Sequence, residues 1–453
     1  MSSWFSVQPP PSSSSNTSPT LPQSQKSLKT VSPVTSRYPP QALFGPLTDE
    51  DTAWLAQSSG FVAETQTFYL TLPEGRLAMC QVIHSGIGLW YPQIQFTFRY
   101  YDPTTNIHIF KSTNVTNFKP APTAPSPSGP KISYDRRSCK SDQFSILLDP
   151  ARPDTYHISG KHDGGVELVF TVTRLPNVPG WKLGTGPQGG FTYFGLPTGS
   201  KPGSGPKPDS SGGADGYMVH RFWPRCSLTG FIKLPNQESV SLESGRAMFV
   251  HAIQGMRPNL IASRWNFCNF QSLPPANGEP DPGVSLTMME FTTVPGSYYG
   301  PAQTITIGSV VANDKLVAVV GSPGAKAVHE GPLTHDPETG YHAPAGLGFE
   351  WKGLAIGSSE VMTGAELKLD LQPVTSAGGY TTKGLIEKVD VMAHIPYLVK
   401  KLVAAVAGAR PYIYTWMNRV EANVEFPSGE GDGTKKITVD GYVFNESTFI
   451  SDI

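Results

Sequence analysis

The sequence has few charged residues and few cysteines, and both shortages exclude certain classes of protein. Only 16% of its 453 residues are charged, and the formal net charge is −1. Proteins that bind polyanions carry a basic excess, so this composition argues against a nucleic-acid partner. The four cysteines, Cys80, Cys139, Cys226 and Cys268, are far apart and show no CxxC spacing. This arrangement argues against a structural zinc site.

The sequence also lacks segments that would carry the chain into or across a membrane. Residues 1–6 have neither the charged start nor the apolar core of a secretion signal, so we expect an intracellular protein with reduced thiols. The sequons at Asn114 and Asn445 are then expected to stay unmodified. No apolar run reaches the roughly 18 residues that span a bilayer, and two lysines interrupt the longest candidate, residues 398–409. We expect any membrane contact to be peripheral.

Turn-forming residues are abundant, with 46 Gly and 43 Pro. Between them lie many runs of strand length, and Gln93–Tyr100 alternates polar and apolar residues as a half-buried antiparallel strand does. Further strands are predicted at residues 68–72, 77–84, 144–148, 166–173, 227–234, 247–254, 286–293, 304–311, 315–320, 367–371 and 436–444. Short strands separated by turn residues predict an all-β fold of antiparallel barrels or sandwiches.

Composition suggests three segments. Residues 1–48 are rich in Ser, Pro, Thr and Gln and poor in apolar residues, which predicts a disordered tail. The remainder divides into an N-terminal domain, residues 49–235, and a C-terminal domain, residues 236–453. One helix is predicted at residues 396–407, because Pro396 suits its first position and Gly408 the position after its end. Its apolar face predicts packing on the barrel, with membrane docking as the alternative.

Enzyme signatures are missing from the sequence. It contains no GxSxG, HExxH or P-loop motif. His157 and His162, and likewise His329 and His335, lie close in sequence, but no carboxylate completes a metal-ligand set with either pair. The sequence therefore predicts no catalytic residue, no metal and no cofactor.

Two stretches, residues 220–226 and 245–270, place polar side chains among large aromatic ones. His251 shares strand parity with Phe249, whereas Gln254 shares it with Val250, so these two polar groups should point to opposite faces. A buried arginine or histidine needs a partner. Either the polar groups form a hydrogen-bonded network that closes a barrel, or they orient the polar head of an apolar ligand against tryptophan walls. The predicted ligand-binding residues are His220, Trp223, Arg225, His251, Gln254, Arg264, Trp265 and Asn266.

The same stretches carry a family resemblance. Residues 220–226, 245–256, 264–267, 289–293, 349–353, 387–392, 410–414 and 448–451 resemble, in order, the motifs of the Svf1 family of fungal proteins. The resemblance covers roughly residues 50–453. It implies two lipocalin-like antiparallel β-barrel domains packed together around an apolar ligand cavity, an architecture shared with carotenoid hydratases and fungal Diels–Alder cyclases.

The resemblance also implies a function. It points to a protein of the cytoplasm and nucleus that contacts ER and Golgi membranes peripherally and carries ceramide or a similar sphingolipid, a hydrophobic ligand. It implies a role in survival under oxidative and cold stress. Members of the family open with a short amphipathic helix, whereas this chain opens with the Pro/Ser-rich tail.

Three hypotheses follow for the function. The favoured one is a lipid-binding and transfer protein that performs no bond chemistry. The main alternative is a cyclase or isomerase of the Diels–Alderase type acting on an apolar metabolite. Such enzymes hold a substrate in a reactive shape and need few catalytic residues, so the missing motifs do not decide between the two. The third is a stress-regulated scaffold that acts through its tail.

Overall fold

The computed structural model describes residues 29–58, 60–87, 92–124, 131–201, 213–256, 258–275, 278–295, 300–376, 379–394, 410–428 and 433–451. Across these residues the regular structure is almost entirely β, which confirms the predicted all-β class. Helical structure in them is limited to single turns at Val34–Arg37, Pro40–Ala42, Asp49–Thr52, Pro73–Gly75, Pro258–Ile261 and Val391–His394. The helix predicted at residues 396–407 and residues 1–28 of the predicted tail lie outside the described residues. None of the described helices could cross a membrane.

Eighteen strands are described up to residue 254. They are β1 Lys29–Ser32, β2 Phe44–Pro46, β3 Phe61–Thr71, β4 Leu77–Ile87, β5 Gln93–Asp102, β6 Ile107–Asn114, β7 Lys119–Pro120, β8 Thr123–Ala124, β9 Ile132–Ser133, β10 Cys139–Lys140, β11 Phe144–Leu148, β12 Thr155–His162, β13 Val166–Arg174, β14 Trp181–Leu183, β15 Phe191–Pro197, β16 Gly216–Lys233, β17 Val240–Ser241 and β18 Arg246–Gln254. Sixteen of them form one curled sheet, here called the N-terminal half-barrel, whose main path is β6–β5–β4–β3–β18–β16–β13–β12–β11–β10–β7. Strands β8 and β9 form a separate ribbon.

Twelve further strands are described after residue 254. They are β19 Arg264–Gln271, β20 Ser285–Thr292, β21 Thr304–Ala312, β22 Lys315–Gly321, β23 Ala325–His335, β24 His342–Leu354, β25 Met362–Asp370, β26 Val374–Ser376, β27 Gly379–Thr381, β28 Leu385–Asp390, β29 Tyr412–Pro427 and β30 Thr434–Phe449. Ten of these form the second sheet, here called the C-terminal half-barrel, in the order β22–β21–β20–β19–β30–β29–β25–β24–β23 with β28 added beside β29.

Alternation of side chains explains why these segments form strands with one buried face. Along β25, Thr363, Ala365 and Leu367 are buried while the residues between them are half-buried or exposed. The sequence also explains the tight turn between β21 and β22. Asn313 and Asp314 both have φ of 51°, the left-handed conformation that a two-residue hairpin requires and that Asn and Asp tolerate better than most residues.

The predicted disordered tail is wrong for residues 29–48. Strand β1 pairs with β15, and β2 pairs with β14. Val31 and Val34 are buried, and the backbone N–H of Val34 donates to Thr192 Oγ1 at 3.1 Å. Composition missed this segment because its partners lie about 160 residues further along the chain, and they supply the apolar surface that the segment itself lacks.

The predicted domain boundary at residue 235 also differs from the sheet topology. Strands β17 and β18 follow this boundary in sequence but belong to the N-terminal half-barrel, where β18 lies between β16 and β3. The chain changes sheet only between Gln254 and Arg264.

The outer faces of the two half-barrels pack against each other along an apolar seam. Tyr69 of the N-terminal sheet lies 5.1 Å from Phe267 and 5.5 Å from Phe444 of the C-terminal sheet, measured between ring centroids. Phe222 and Met248 belong to the same buried cluster. Burial of aromatic rings on this scale is a large favourable term in packing, so the seam holds the two sheets together.

Charged side chains are also enclosed at the seam. Arg99 of β5 forms an ion pair with Glu387 of β28, and His108 Nε2 lies 3.4 Å from the same carboxylate. Glu446 of β30 lies close enough to Arg99 and Glu387 for the charges of these two side chains to shift its pKa. Burial raises the pKa of Glu446 to about 7, with Glu387 raising it further and Arg99 opposing the rise.

The docking of residues 29–47 can be tested by truncation. We expect a chain lacking residues 1–47 to melt several degrees below a chain lacking residues 1–28, because the longer deletion removes β1, β2 and the burial of two valines. Each buried valine contributes roughly 1.5–3 kcal/mol. Differential scanning calorimetry of the two chains provides the comparison. Equal melting temperatures would mean that the segment contributes nothing to the fold.

The titration of Glu446 predicts a pH dependence of stability. Its pKa in the folded protein lies above the ordinary 4.5, so its contribution is fully present below that value and is lost as the pH rises through 7. We expect Glu446→Gln to raise the melting temperature by a few degrees at pH 8 and by much less at pH 5. Glu366→Gln, on the exposed face of β25, is the matched control. A gain from Glu446→Gln that is the same at both pH values contradicts this assignment.

Candidate functional site

The eight predicted ligand-binding residues do not line one cavity. They lie in three places that the alternation of strands β16, β18 and β19 keeps apart. Trp223 and His251 point into the N-terminal half-barrel. His220, Arg225, Gln254 and Trp265 lie on the strand faces turned toward the other sheet. Arg264 and Asn266 share the face of β19 that points into the C-terminal half-barrel.

Inside the N-terminal half-barrel, His251 is part of a paired network. Its Nε2 lies 2.9 Å from Glu64 Oε1, and its Nδ1 lies 3.0 Å from the carbonyl oxygen of Asp51. Desolvation acts to raise the pKa of the Glu64 carboxyl, but bonds from His251 and from the backbone N–H groups of Leu55 and Ala56 outweigh it and leave that pKa lowered. The Glu64 carboxylate thus accepts three hydrogen bonds, and these bonds fix the chain segment that enters the barrel. The role of this carboxylate is structural.

Trp223 also has a packing role. Its ring lies 5.1 Å from that of Tyr156 and 5.3 Å from that of Phe249. These rings belong to the large apolar cluster that fills the N-terminal half-barrel. Apolar side chains occupy the described interior of the C-terminal half-barrel in the same way, so the polar groups of each interior, rather than its filling, distinguish the two.

At the seam, His220 and Trp265 meet edge to face at 6.1 Å, and Trp265 packs on Phe291 at 5.2 Å. Burial, with the charge of Arg221 as the smaller cause, lowers the pKa of His220 to about 4, so the imidazole is neutral at physiological pH. A cavity of about 10 Å³ adjoins His220, which is room for about one water molecule. Gln254 lies at the end of β18 on the same side, paired with Met218 and Ala63.

Arg225 joins the two half-barrels. A bulge in β16 between Trp223 and Cys226 turns its side chain toward the other sheet. The fully buried guanidinium donates to Asp314 and Asp281, each at 2.6 Å, and to Gln271 Oε1 at 3.0 Å. It also donates to the carbonyl oxygens of Ser272 and Val284. Every partner belongs to the C-terminal part of the chain, so this arginine acts as an interdomain clamp.

The C-terminal half-barrel contains a second polar network, here called the polar layer: Asn266, Glu290, Thr306, His329 and Ser447. Asn266 Nδ2 donates to Glu290 Oε1 at 3.0 Å. Asn266 Oδ1 accepts from Ser447 Oγ at 3.0 Å and from His329 Nε2 at 2.9 Å. Burial, with the charge of Arg264 as the smaller cause, lowers the pKa of His329 to about 3. Because the imidazole is neutral and Asn266 Oδ1 can only accept, His329 Nε2 carries the hydrogen.

Glu290 closes the C-terminal half-barrel. Strand β23 lies at the end of the sheet path, where among described strands it pairs with β24 alone. Glu290 Oε2 accepts from the backbone N–H of Ala327 in β23 at 2.8 Å and from Thr306 Oγ1 at 2.9 Å. A buried carboxylate therefore replaces strand pairing between β23 and the opposite wall.

The polar layer borders the apolar interior of the half-barrel. Ser447 and Glu290 lie one position along their strand faces from apolar residues of the main core cluster, which includes Met288, Phe349, Leu367 and Trp416. Arg264 and His329 are half-buried, whereas Asn266, Glu290 and Ser447 are buried. The arrangement places the carboxamide of Asn266, the hydroxyl of Ser447 and the neutral imidazole of His329 above apolar side chains, which suits the polar head of an apolar molecule.

Sequence reasoning found Asn266 of the polar layer and its neighbour Arg264, but missed the other members of the layer as ligand-binding residues. Glu290 carried a usable signal, since it shares strand parity with Leu286 and Met288 inside a predicted strand. Ser447 shares parity with Val443, but it lies beyond the end of the strand predicted at residues 436–444. His329 was considered only as a metal ligand. Among the described residues, no three histidine, cysteine or carboxylate side chains are grouped to hold a metal ion.

A groove of about 980 Å³ lies on the wall of the C-terminal half-barrel. Its lining includes Lys326, Glu350, Lys352, Glu366 and Lys436. Lys326 and Glu350 pair with each other at 3.1 Å. The lining also includes Trp351, Ala365 and Val424 of the apolar core. Because the charged side chains of the groove are exposed to water, the buried polar layer is the better candidate for binding an uncharged polar head.

The clamp formed by Arg225 predicts a large effect on stability. Arg225→Met keeps the bulk but leaves buried acceptors unpaired, and we expect a loss of about 3–5 kcal/mol with or without lipid. Arg419→Met, which removes an exposed arginine paired with Asp440, should change stability little. Chemical denaturation of both variants measures the difference. A wild-type unfolding free energy for Arg225→Met would exclude the clamp.

Comparison with known proteins places the chain in a family. Three curated relatives are the ceramide-binding proteins of Neurospora crassa, 30% identical over 89% of this chain and 89% of that protein, Yarrowia lipolytica, 32% identical over 90% and 91%, and Debaryomyces hansenii, 33% identical over 89% of both. The solved structure of CghA with Sch210972 is 10% identical, with a TM-score of 0.52 over 94% of this chain and 100% of that chain. That likeness shows the fold alone and supports the predicted lipocalin-like architecture.

The resemblance seen in the motifs is confirmed across the chain. The model of the Svf1 family matches residues 10–451. The chain therefore belongs to the Svf1 family.

Proposed function

We propose that this protein binds ceramide or a closely similar sphingolipid in the C-terminal half-barrel. The polar head meets the polar layer, and the hydrocarbon chains enter the apolar interior. One observation carries the proposal: a buried polar network, centred on the carboxamide of Asn266 and bonded to the neutral imidazole of His329, borders an apolar core. The names of the relatives, which are ceramide-binding proteins, support the same ligand class.

The chemistry of the polar layer fits an uncharged lipid head. Two half-buried side chains lie beside the buried carboxamide of Asn266: His329 of the layer, and Arg264, one position along the same face of β19. A neutral imidazole and a carboxamide bind hydroxyl and amide groups without the desolvation cost of a second buried charge. Ceramide carries two hydroxyls and one amide and has no charge.

The proposal extends to transport. The protein takes ceramide from ER membranes and delivers it to the Golgi through peripheral contacts, acting from the cytoplasm and, in part, the nucleus. Survival under oxidative stress follows from this lipid traffic. The relatives support binding, while transfer and location are proposals that rest on it. No bond in the lipid is formed or broken.

Capture of ceramide by the purified full-length protein tests the proposal. We expect the protein to extract ceramide from phosphatidylcholine vesicles and release it to acceptor vesicles. Liquid chromatography with mass spectrometry should recover the lipid with its mass, retention time and fragmentation pattern unchanged. His329→Leu should weaken capture about tenfold, the effect of losing roughly one hydrogen bond.

His220→Leu is the matched control, because His220 is also a buried neutral histidine but lies at the seam. It should leave capture unchanged, with melting temperatures recorded for both variants. Loss of capture in His220→Leu alone would move the site to the seam. A recovered product of the same mass but with a different retention time or fragmentation pattern would favour a cyclase or isomerase, because both reactions conserve mass. Absence of capture by the wild-type protein would refute lipid binding.

A further inference from the structure

Two buried carboxamides lie beyond the polar layer in the same half-barrel. Asn445 of β30 is fully buried, and no group in the described chain hydrogen-bonds its Nδ2 or its Oδ1. Asn418 of β29 is 7% exposed, and its Nδ2 likewise lacks a partner among the described residues. Both point inward, since they alternate with residues of the outer face and share parity with Trp416 and Val443 of the core.

The two side chains are neighbours. Asn445 pairs with Trp416, and Asn418 pairs with Val443, across adjacent antiparallel strands. Diagonal partners on one face of such a pair lie about 7–8 Å apart at Cα and closer at Cβ. Asn445 also lies one position along its strand face from Ser447 of the polar layer, so the two carboxamides continue that layer into the barrel.

Asn266 shows that this interior can satisfy a carboxamide. Its Nδ2 donates to Glu290, and its Oδ1 accepts from His329 and Ser447. Asn445 has the same side chain in the same barrel and gains none of these bonds. An unpaired buried carboxamide destabilises a fold, and leucine or valine would pack there without that cost. Its presence is explained when a bound molecule supplies the missing partners.

We propose that Asn445, assisted by Asn418, recognises the amide of the bound lipid and makes the protein selective for N-acyl lipids over ester lipids. Asn445 Oδ1 accepts the amide N–H of the lipid, and the Nδ2 groups donate to its carbonyl and hydroxyl oxygens. Asn445 is thus a specificity-determining residue of the site. The inference rests on the proposed function, because it assigns a role within the same ligand site.

Diacylglycerol distinguishes amide recognition from general lipid binding. Like ceramide it has two chains and a primary hydroxyl, but it lacks the second hydroxyl of ceramide and its ester groups have no N–H. With diacylglycerol bound, Asn445 Oδ1 stays unpaired in a buried site. A site built to hydrogen-bond a group discriminates strongly against an analogue that lacks it. We expect ceramide to bind ten- to a hundredfold more tightly than diacylglycerol of equal chain length.

The test is competition between C16-ceramide and dipalmitoylglycerol for the purified full-length protein, with recovered lipids quantified by mass spectrometry. Asn445→Leu should lose ceramide affinity by tenfold or more and bind diacylglycerol as well as the wild type does, so that the preference disappears. Asn423→Ala, which changes an exposed asparagine on β29, should keep the wild-type preference.

Each outcome separates this inference from the proposed function. If wild-type protein captures neither lipid, the proposed function fails. If it captures both equally, or if Asn445→Leu keeps the preference, lipid binding stands and amide recognition is overturned. Should Asn445→Leu fail to fold, wild-type protein is offered N-methyl-C16-ceramide, which lacks the N–H. Capture equal to that of ceramide overturns the inference, and a tenfold or greater loss supports it.

Discussion

The bulge in β16 at Pro224 fixes the relation between the two half-barrels. Proline cannot donate to a ladder, so pairing between β16 and β18 is interrupted there. The freed carbonyl oxygen of Pro224 accepts from Gln271 Nε2 at 2.9 Å and Ser285 Oγ at 2.8 Å. Arg225 follows and donates to five acceptors on the same side. The local break in β16 thus places a polar cluster at the centre of an otherwise apolar seam. The position of β19 relative to the first sheet depends on the hydrogen bonds of this cluster.

That position decides which faces of β19 are available for a ligand. Trp265 and Phe267 point into the seam, where aromatic contacts occupy them. Arg264 and Asn266 consequently point into the C-terminal half-barrel. The two half-barrels then differ in a way that matters for function. In the first, Glu64 and His251 complete each other's hydrogen bonds, and the buried atoms left without a hydrogen bond include single ring nitrogens of Trp54, His84 and His162. The second contains two neighbouring carboxamides that the described chain leaves unpaired. The asymmetry assigns architecture to the N-terminal half-barrel and ligand recognition to the C-terminal one.

Sequence periodicity identified the all-β class and part of the strands, but it missed long strands such as β24 and β29 and was insufficient for the site. Alternation placed His251 and Gln254 on opposite faces of β18, as found, because strand parity is a local property. Which face meets which cavity depends on packing between sheets, and no local pattern contains that information. Val31 and Val34 show the same limit, since their burial requires strands far along the chain. In the sequence, Asn445 stands out only as part of a sequon. Whether its side chain has hydrogen-bond partners depends on its neighbours in space, which the sequence does not show.

The closure of the C-terminal half-barrel suggests how a lipid enters. Between most neighbouring strands of this sheet, ladders of backbone hydrogen bonds resist separation. Between β23 and the opposite wall, closure rests on the carboxylate of Glu290 and the bond from His329 to Asn266. Separating β23 from this wall breaks a few side-chain bonds, whereas opening a ladder requires concerted loss of many bonds. Among the described strands, the wall at β23 is therefore held by fewer hydrogen bonds than a laddered wall, and β23 contains His329, which is assigned to the lipid head. Entry and recognition then share one network: the bonds that hold the barrel closed are those that an incoming hydroxyl or amide can replace.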